Sequence, residues 1–186
     1  MATPHSIVTI VGSLRKDSHT LKVAKALAKL APASLKLDVT MLHDISFFNQ
    51  DLEASPPADW VAFREKLQKS SGVLFVTPEY NRSVPGLLKN AIDVGSRPYG
   101  KSAWEGKPAA VVSVSPGVIG AFGANQALRQ SFVFLNMPAL QQPEAYIGGA
   151  AKLFDDKGEL TNESTREFLG KFLQAFAQWI ERVAPK

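Results

Sequence analysis

Three short apolar runs constrain this chain more than any other feature: Ile7–Val11, Val73–Thr77 and Ala109–Ser115. None carries a charge, and none shows the strict alternation of a half-exposed strand, so each reads as a strand buried on both faces. Amphipathic helical runs stand between them. Leu21–Leu30 has Leu21, Val23, Ala24, Leu27, Ala28 and Leu30 at helical spacing and stops at Pro32. Ala58–Ser70, Pro85–Val94, Ala121–Leu135 and Ser164–Val183 read the same way, with Pro85 in a first helical turn. Ser164, with Glu167 three residues on, is expected to form a capping box. Leu35–Leu42 alternates at Leu35, Leu37, Val39 and Met41, as a half-exposed edge strand does, and Pro138–Gln142 is the candidate last strand.

Strands alternating with helices predict an α/β fold, a doubly wound parallel sheet with helices on both faces. Five strands suit the flavodoxin-like order 2-1-3-4-5. The 186 residues show no repeat or linker and are expected to form one domain over 1–186. The net charge of +4 favours anionic ligands, but the basic residues are scattered among acidic ones rather than striped, so nucleic acid is not expected. The chain has no cysteine, which excludes disulfides and thiolate catalysis. His5, His19 and His43 lack partners at ligand spacing, and no metal is expected. With no secretion signal and no run of about eighteen apolar residues, a cytoplasmic protein without a membrane span is expected.

In open sheets of this topology, ligands bind beyond the carboxyl ends of the strands at the switch point. That brings together the loops Gly12–Ser18, Pro78–Val84 and Pro116–Gly123. The first offers the Ser13 and Ser18 hydroxyls, the Arg15 guanidinium and the N–H groups of a helix starting near Thr20. Those groups suit a phosphate. Taken alone, this loop reads equally as a capped helix start with a solvated arginine. It lacks the Gly-x-Gly-x-x-Gly of dinucleotide sites. The second loop is stiffened by Pro78 and Pro85, so its backbone can recognise the edge of a flat heterocycle, with Tyr80 beside the ring. The third, Ser115–Pro116–Gly117 with Gly120 and Gly123, allows close backbone approach, although a plain strand-ending turn reads nearly as well. Gly95–Ser102 has the Walker A spelling, but it follows a helix and leads into a strand, the reverse of a phosphate-binding loop.

The segments Gly12–Ser18, Thr77–Asp93 and Ser113–Gly117 resemble the NADPH-dependent FMN reductase family, and within it the bacterial quinone- and chromate-reducing branch. The resemblance runs in order through nearly the whole chain. It implies non-covalent FMN, with Ser13, Arg15 and Ser18 at the phosphate, Pro78, Glu79, Tyr80 and Asn81 at the isoalloxazine, and Ser115 and Gly117 near the far edge of the ring. It also implies a homo-oligomer, dimer or tetramer, with sites close to a subunit interface. The activity implied is ping-pong hydride transfer from NAD(P)H to quinones or chromate, with no catalytic side chain. Arg82 and Arg97 are candidates to attract anionic acceptors. Two other readings compete. A flavodoxin-type electron carrier is usually acidic, whereas this chain is basic. A receiver-like domain needs an acidic pair and an aspartate where Gly12–Ser13 and Thr77–Pro78 stand.

Overall fold

Every residue of Gly72–Thr77 and of Ala109–Val114 is buried. Successive side chains of a strand point to opposite faces, so such strands need a layer on each side. The computed structural model, which describes residues 3–183, has that form. In chain order the elements are β1 (His5–Val11), α1 (His19–Leu30), β2 (Leu35–Thr40), α2 (Ala58–Lys69), β3 (Gly72–Thr77), α3 (Gly86–Gly95), β4 (Ala109–Val114), α4 (Phe122–Phe134), β5 (Ala145–Ile147) and α5 (Glu163–Val183). The strands form one parallel sheet in the order β2-β1-β3-β4-β5.

The alternation within each strand divides the core. Ile7, Val11, Leu74, Val76 and Val112 face α1 and α5, whereas Val8, Ile10, Val73, Phe75 and Val111 face α2, α3 and α4. On the second face Trp104 is fully buried, with Phe63 and Phe75 at 5.9 and 5.8 Å between ring centroids. Its indole N–H donates to the Ile92 carbonyl at 2.9 Å. On β2, Leu35, Leu37 and Val39 all turn to the α1–α5 face, as does Met41 just after it, as the alternation predicts for an edge.

Two local expectations are corrected. The fifth strand is Ala145–Ile147 rather than Pro138–Gln142. The earlier segment does lie beside the start of β4, where Ala109 donates to the Pro138 carbonyl at 3.0 Å and Leu140 to the Ala109 carbonyl at 2.7 Å. It makes only an isolated bridge there. Pro143, which has no N–H to give, stands between it and the resumed pairing at Ala145. The cap of α5 is Asn162, not Ser164: its Oδ1 accepts from the Thr165 N–H and from the Ser164 hydroxyl, both at 2.9 Å. Pro85 also stands just before α3 rather than within its first turn. Among the described residues, no helix is long and apolar enough to cross a membrane.

Candidate functional site

Parallel strands deliver all their following loops to one rim, and here the loops touch in sequence. A side chain at Gly12, after β1, would meet Pro78 Cδ and Thr77 Oγ1 at 3.2 Å. A Cβ at Gly123, in the first turn of α4, would meet Glu79 Oε2 and the Arg82 carbonyl oxygen at 2.9 Å. The three loops picked out by the sequence therefore form one continuous surface at the switch point between β1 and β3.

The loop after β1 is built from donors. Ser13 and Ser18 are both buried. Ser13 Oγ accepts weakly from the Arg15 N–H at 3.4 Å. Ser18 caps α1, its Oγ accepting from the Leu21 N–H at 3.0 Å. Each hydroxyl thus keeps a proton to give. Among the described residues, the N–H groups of Ser13, Leu14, Lys16 and Asp17 find no protein acceptor. The exposed Arg15 adds a guanidinium, and the α1 dipole adds a positive end. Burial, together with the nearby cations Lys22 and Arg15, holds the His19 imidazole below its ordinary pKa. A cradle with donors on every side and positive charge around it suits a dianion such as a phosphate monoester.

The loop after β3 is a two-residue hairpin turn. Tyr80 and Ser83 exchange backbone hydrogen bonds at 3.1 and 3.0 Å, and Asn81 and Arg82 between them have φ of 51° and 64°. Positive φ at both central positions is the type I′ geometry, which asparagine tolerates and arginine does not favour. We expect Arg82→Gly to raise the unfolding free energy by about 0.5 kcal/mol in urea titrations, because glycine relieves the left-handed strain and the exposed Arg82–Glu79 pair is worth little. An unchanged or lower midpoint would contradict that reading of the turn.

Glu79 does something the sequence did not announce. The residue before α4, Ala121, has φ of 61° and no capping side chain. Glu79 supplies the cap from the neighbouring loop: its Oε2 accepts from the Ala124 N–H at 3.1 Å. Its other oxygen lies 3.4 Å from Arg82 Nη1. The second and third loops are thereby fastened by one carboxylate, itself largely buried.

The third loop is fastened from its other side by a fourth, Gly148–Gly149. Ser115 donates its N–H to Ile147 O at 3.0 Å and its hydroxyl to Gly117 O at 3.0 Å. Gly149 donates to Gly117 O at 3.1 Å, and Ala150 to Ser115 O at 3.1 Å. Gly120, at φ of 62°, lies where a Cβ would stand 2.6 Å from the Tyr146 carbonyl carbon, so the close approach requires glycine. The three loops singled out from the sequence did not include this fourth one, although the Gly-Gly pair after an apolar run was its signal. Val118, Ile119 and Phe122 project from the same rim and are exposed.

Arg97 has its described contacts elsewhere. At the end of α3, its Nε is ion-paired with Glu53, and its guanidinium lies 5.9 Å from the centroid of Phe48, which stacks on Trp60. That arrangement fastens the β2–α2 connection. The Walker-like Gly95–Ser102 joins α3 to the segment before β4, and a Cβ at Gly95 would stand 2.5 Å from the Trp104 indole. Its leading glycine is a packing position.

A parallel 2-1-3-4-5 sheet whose rim offers a phosphate cradle beside a rigid, polar, ring-sized edge defines a flavodoxin-like nucleotide- or flavin-binding protein. Comparison with known proteins narrows that class. The model of the NADPH-dependent FMN reductase family matches residues 5–152, and the chain belongs to that family. It is 62% identical over 182 residues to a quinone reductase of Pseudomonas putida, covering 97% of each chain. It is 40% identical to a 2-hydroxy-1,4-benzoquinone reductase of Burkholderia sp, covering 94% of this chain and 95% of that one. Among solved structures, FerB, a flavoenzyme NAD(P)H:(acceptor) oxidoreductase from Paracoccus denitrificans, superimposes with a TM-score of 0.90 at 43% identity, over 97% of this chain and 100% of that one. The donor-rich cradle fits the phosphate of the family's FMN, and the close-packed glycines leave backbone free to meet its ring.

Proposed function

We propose that this protein is an FMN-dependent NAD(P)H:quinone oxidoreductase that works by alternate binding of nicotinamide and acceptor at one flavin face. The observation that carries this reading is the cradle of unpaired donors after β1 joined to the rigid edge after β3. Bound FMN would supply the redox chemistry, accepting hydride from the nicotinamide and passing electrons to the quinone. The protein's part is to hold and orient. Ser13, Arg15, Ser18 and the free N–H groups of their loop take the phosphate. The backbone of Pro78, Glu79, Tyr80 and Asn81 meets one edge of the ring, and Ser115 and Gly117 meet the other. No side chain acts as acid, base or nucleophile. The half-exposed Tyr80 ring walls the stack.

Within this reading, chromate is a second acceptor class, drawn by the exposed Arg82; Arg97 contributes only by leaving Glu53. The working form is a homo-oligomer, dimer or tetramer. Tyr99, Val133 and Phe134, at 82%, 84% and 83% exposure, are apolar residues that a second copy would cover. The protein works in the cytoplasm.

The test is anaerobic titration of the purified, FMN-loaded protein. NADPH is expected to bleach the flavin absorbance, and a benzoquinone to restore it. Colour that NAD(P)H leaves unchanged would make the protein an electron carrier instead.

A further inference from the structure

A cavity of about 630 Å3 extends away from the three loops. It starts at Lys16 and Asp17 in the phosphate cradle and runs down the outer face of α1. Its second wall is the turn Asp155–Glu159, which is held rigidly. Asp155 Oδ1 accepts from the N–H groups of Lys157 and Glu159 at 2.9 and 2.8 Å, and Asp155 and Glu159 pair again through their backbones at 3.0 Å. The Lys29–Glu159 ion pair ties this turn to α1. The groove is therefore preorganised rather than formed by a loose loop.

Its floor is apolar, with Leu21, Val39 and Leu160. Its margin is cationic. Lys16, Lys22, Lys25 and Lys157 line it, and among the described residues none of their ammonium groups has a carboxylate within 4.0 Å. The acidic residues lining the groove are Asp17, Asp156 and Glu159, the last already engaged by Lys29. Lys22 and Lys25 are one helical turn apart, a rise of about 5 Å, so both can reach one phosphate. Lys22 lies across the groove from the facing turn, its Cε 3.9 Å from where a Cβ on Gly158 would stand. An apolar floor with a cluster of free ammonium groups suits an aromatic base carrying a dianion.

We infer that this groove receives the phosphorylated adenosine end of NADPH, with Lys16, Lys22, Lys25 and Lys157 reading its 2′-phosphate. The inference rests on the reading of the protein as an NAD(P)H oxidoreductase and deepens it, because it assigns the coenzyme preference to residues. A nicotinamide at the flavin rim has its other end free to lie past Lys16, where the groove is continuous with the cradle. NADH has the diphosphate bridge but lacks the 2′-phosphate, so it gains less from the lysines.

The test is the double substitution Lys22→Gln/Lys25→Gln, which removes two charges and keeps good helix formers. Steady-state rates with one benzoquinone should give a KM for NADPH raised on the order of tenfold, and a KM for NADH moved less than twofold. Raising the ionic strength should weaken NADPH in the parent more than it weakens NADH, whose diphosphate bridge is its only anionic group. Separately, calorimetry on the FMN-loaded parent should give tighter binding of adenosine 2′,5′-bisphosphate than of 5′-AMP, with the difference lost in the variant. Equal effects on the two coenzymes, or equal binding of the two adenylates, overturn the inference while leaving the oxidoreductase intact. A parent that oxidises neither coenzyme removes the functional reading instead, and the adenylate comparison then decides the groove alone.

Discussion

Arg15→Ala should weaken FMN binding by about 10- to 30-fold, measured as quenching of flavin fluorescence on titration into the apoprotein. The hydroxyls and free N–H groups of the cradle are neutral donors and the formal charges of Lys16 and Asp17 cancel, whereas Arg15 brings a full charge in a fork that matches two phosphate oxygens. A charge-assisted bond of this kind is worth about 1.5–3 kcal/mol, and each 1.4 kcal/mol is a factor of about ten. The side chain is exposed before the ligand arrives, so the lower half of that range applies. Arg15→Lys should recover part of the loss, since it restores the charge without the fork. Salt should narrow the gap between the parent and the Arg15→Ala protein, as screening acts on the charge alone. An Arg15→Ala protein that binds FMN as the parent does would mean that the phosphate lies elsewhere.

Trp104→Ala should lower the unfolding free energy by about 3–5 kcal/mol and the melting temperature by roughly 6–20 °C. Trp104 is among the largest fully buried side chains and sits at the meeting point of α2, β3 and α3. Its removal leaves Phe63 and Phe75 facing a void and takes away the indole N–H bonded to Ile92 O. The backbone at Gly95 is pressed so closely against the indole that it cannot fill the space without α3 shifting. Because α3 begins directly after the hairpin that we propose meets the ring, the shift should also be felt in FMN affinity. Scanning calorimetry with and without FMN separates the two effects: saturating FMN should raise both melting temperatures, and the gap between parent and variant should persist. Trp104→Phe should recover part of the loss. A variant melting within about 2 °C of the parent would show that the core closes around the gap.

What the sequence made legible follows from what is local. A strand buried on both faces needs an uninterrupted apolar run, so β1, β3 and β4 were visible directly, and their order fixed where the loops gather. A capped start to α1 was legible without the residue being named, and the cap, Ser18, bonds Leu21 only three residues away. The last strand was not: three residues suffice for it, and the preceding Pro138–Leu140 lies along the same edge and makes a partial pairing there. The role of the Glu79 side chain was equally hidden, because its partner Ala124 is 45 residues further along the chain. Arg97 read as a candidate to attract anionic acceptors, and only the folded chain brings Glu53 and Phe48 to it.

The bond from Glu79 to Ala124 has a consequence for how such a protein can change its diet of acceptors. It makes the hairpin and the start of α4 a single stiff bracket, closed on the far side by the contacts of Gly117 with Gly149. Reshaping that bracket would disturb the grip on the prosthetic group itself. On the proposed function, new acceptors would be accommodated most cheaply at Val118 and Ile119, whose side chains hang from the bracket into solvent. Divergence in taste can proceed there while the grip stays constant.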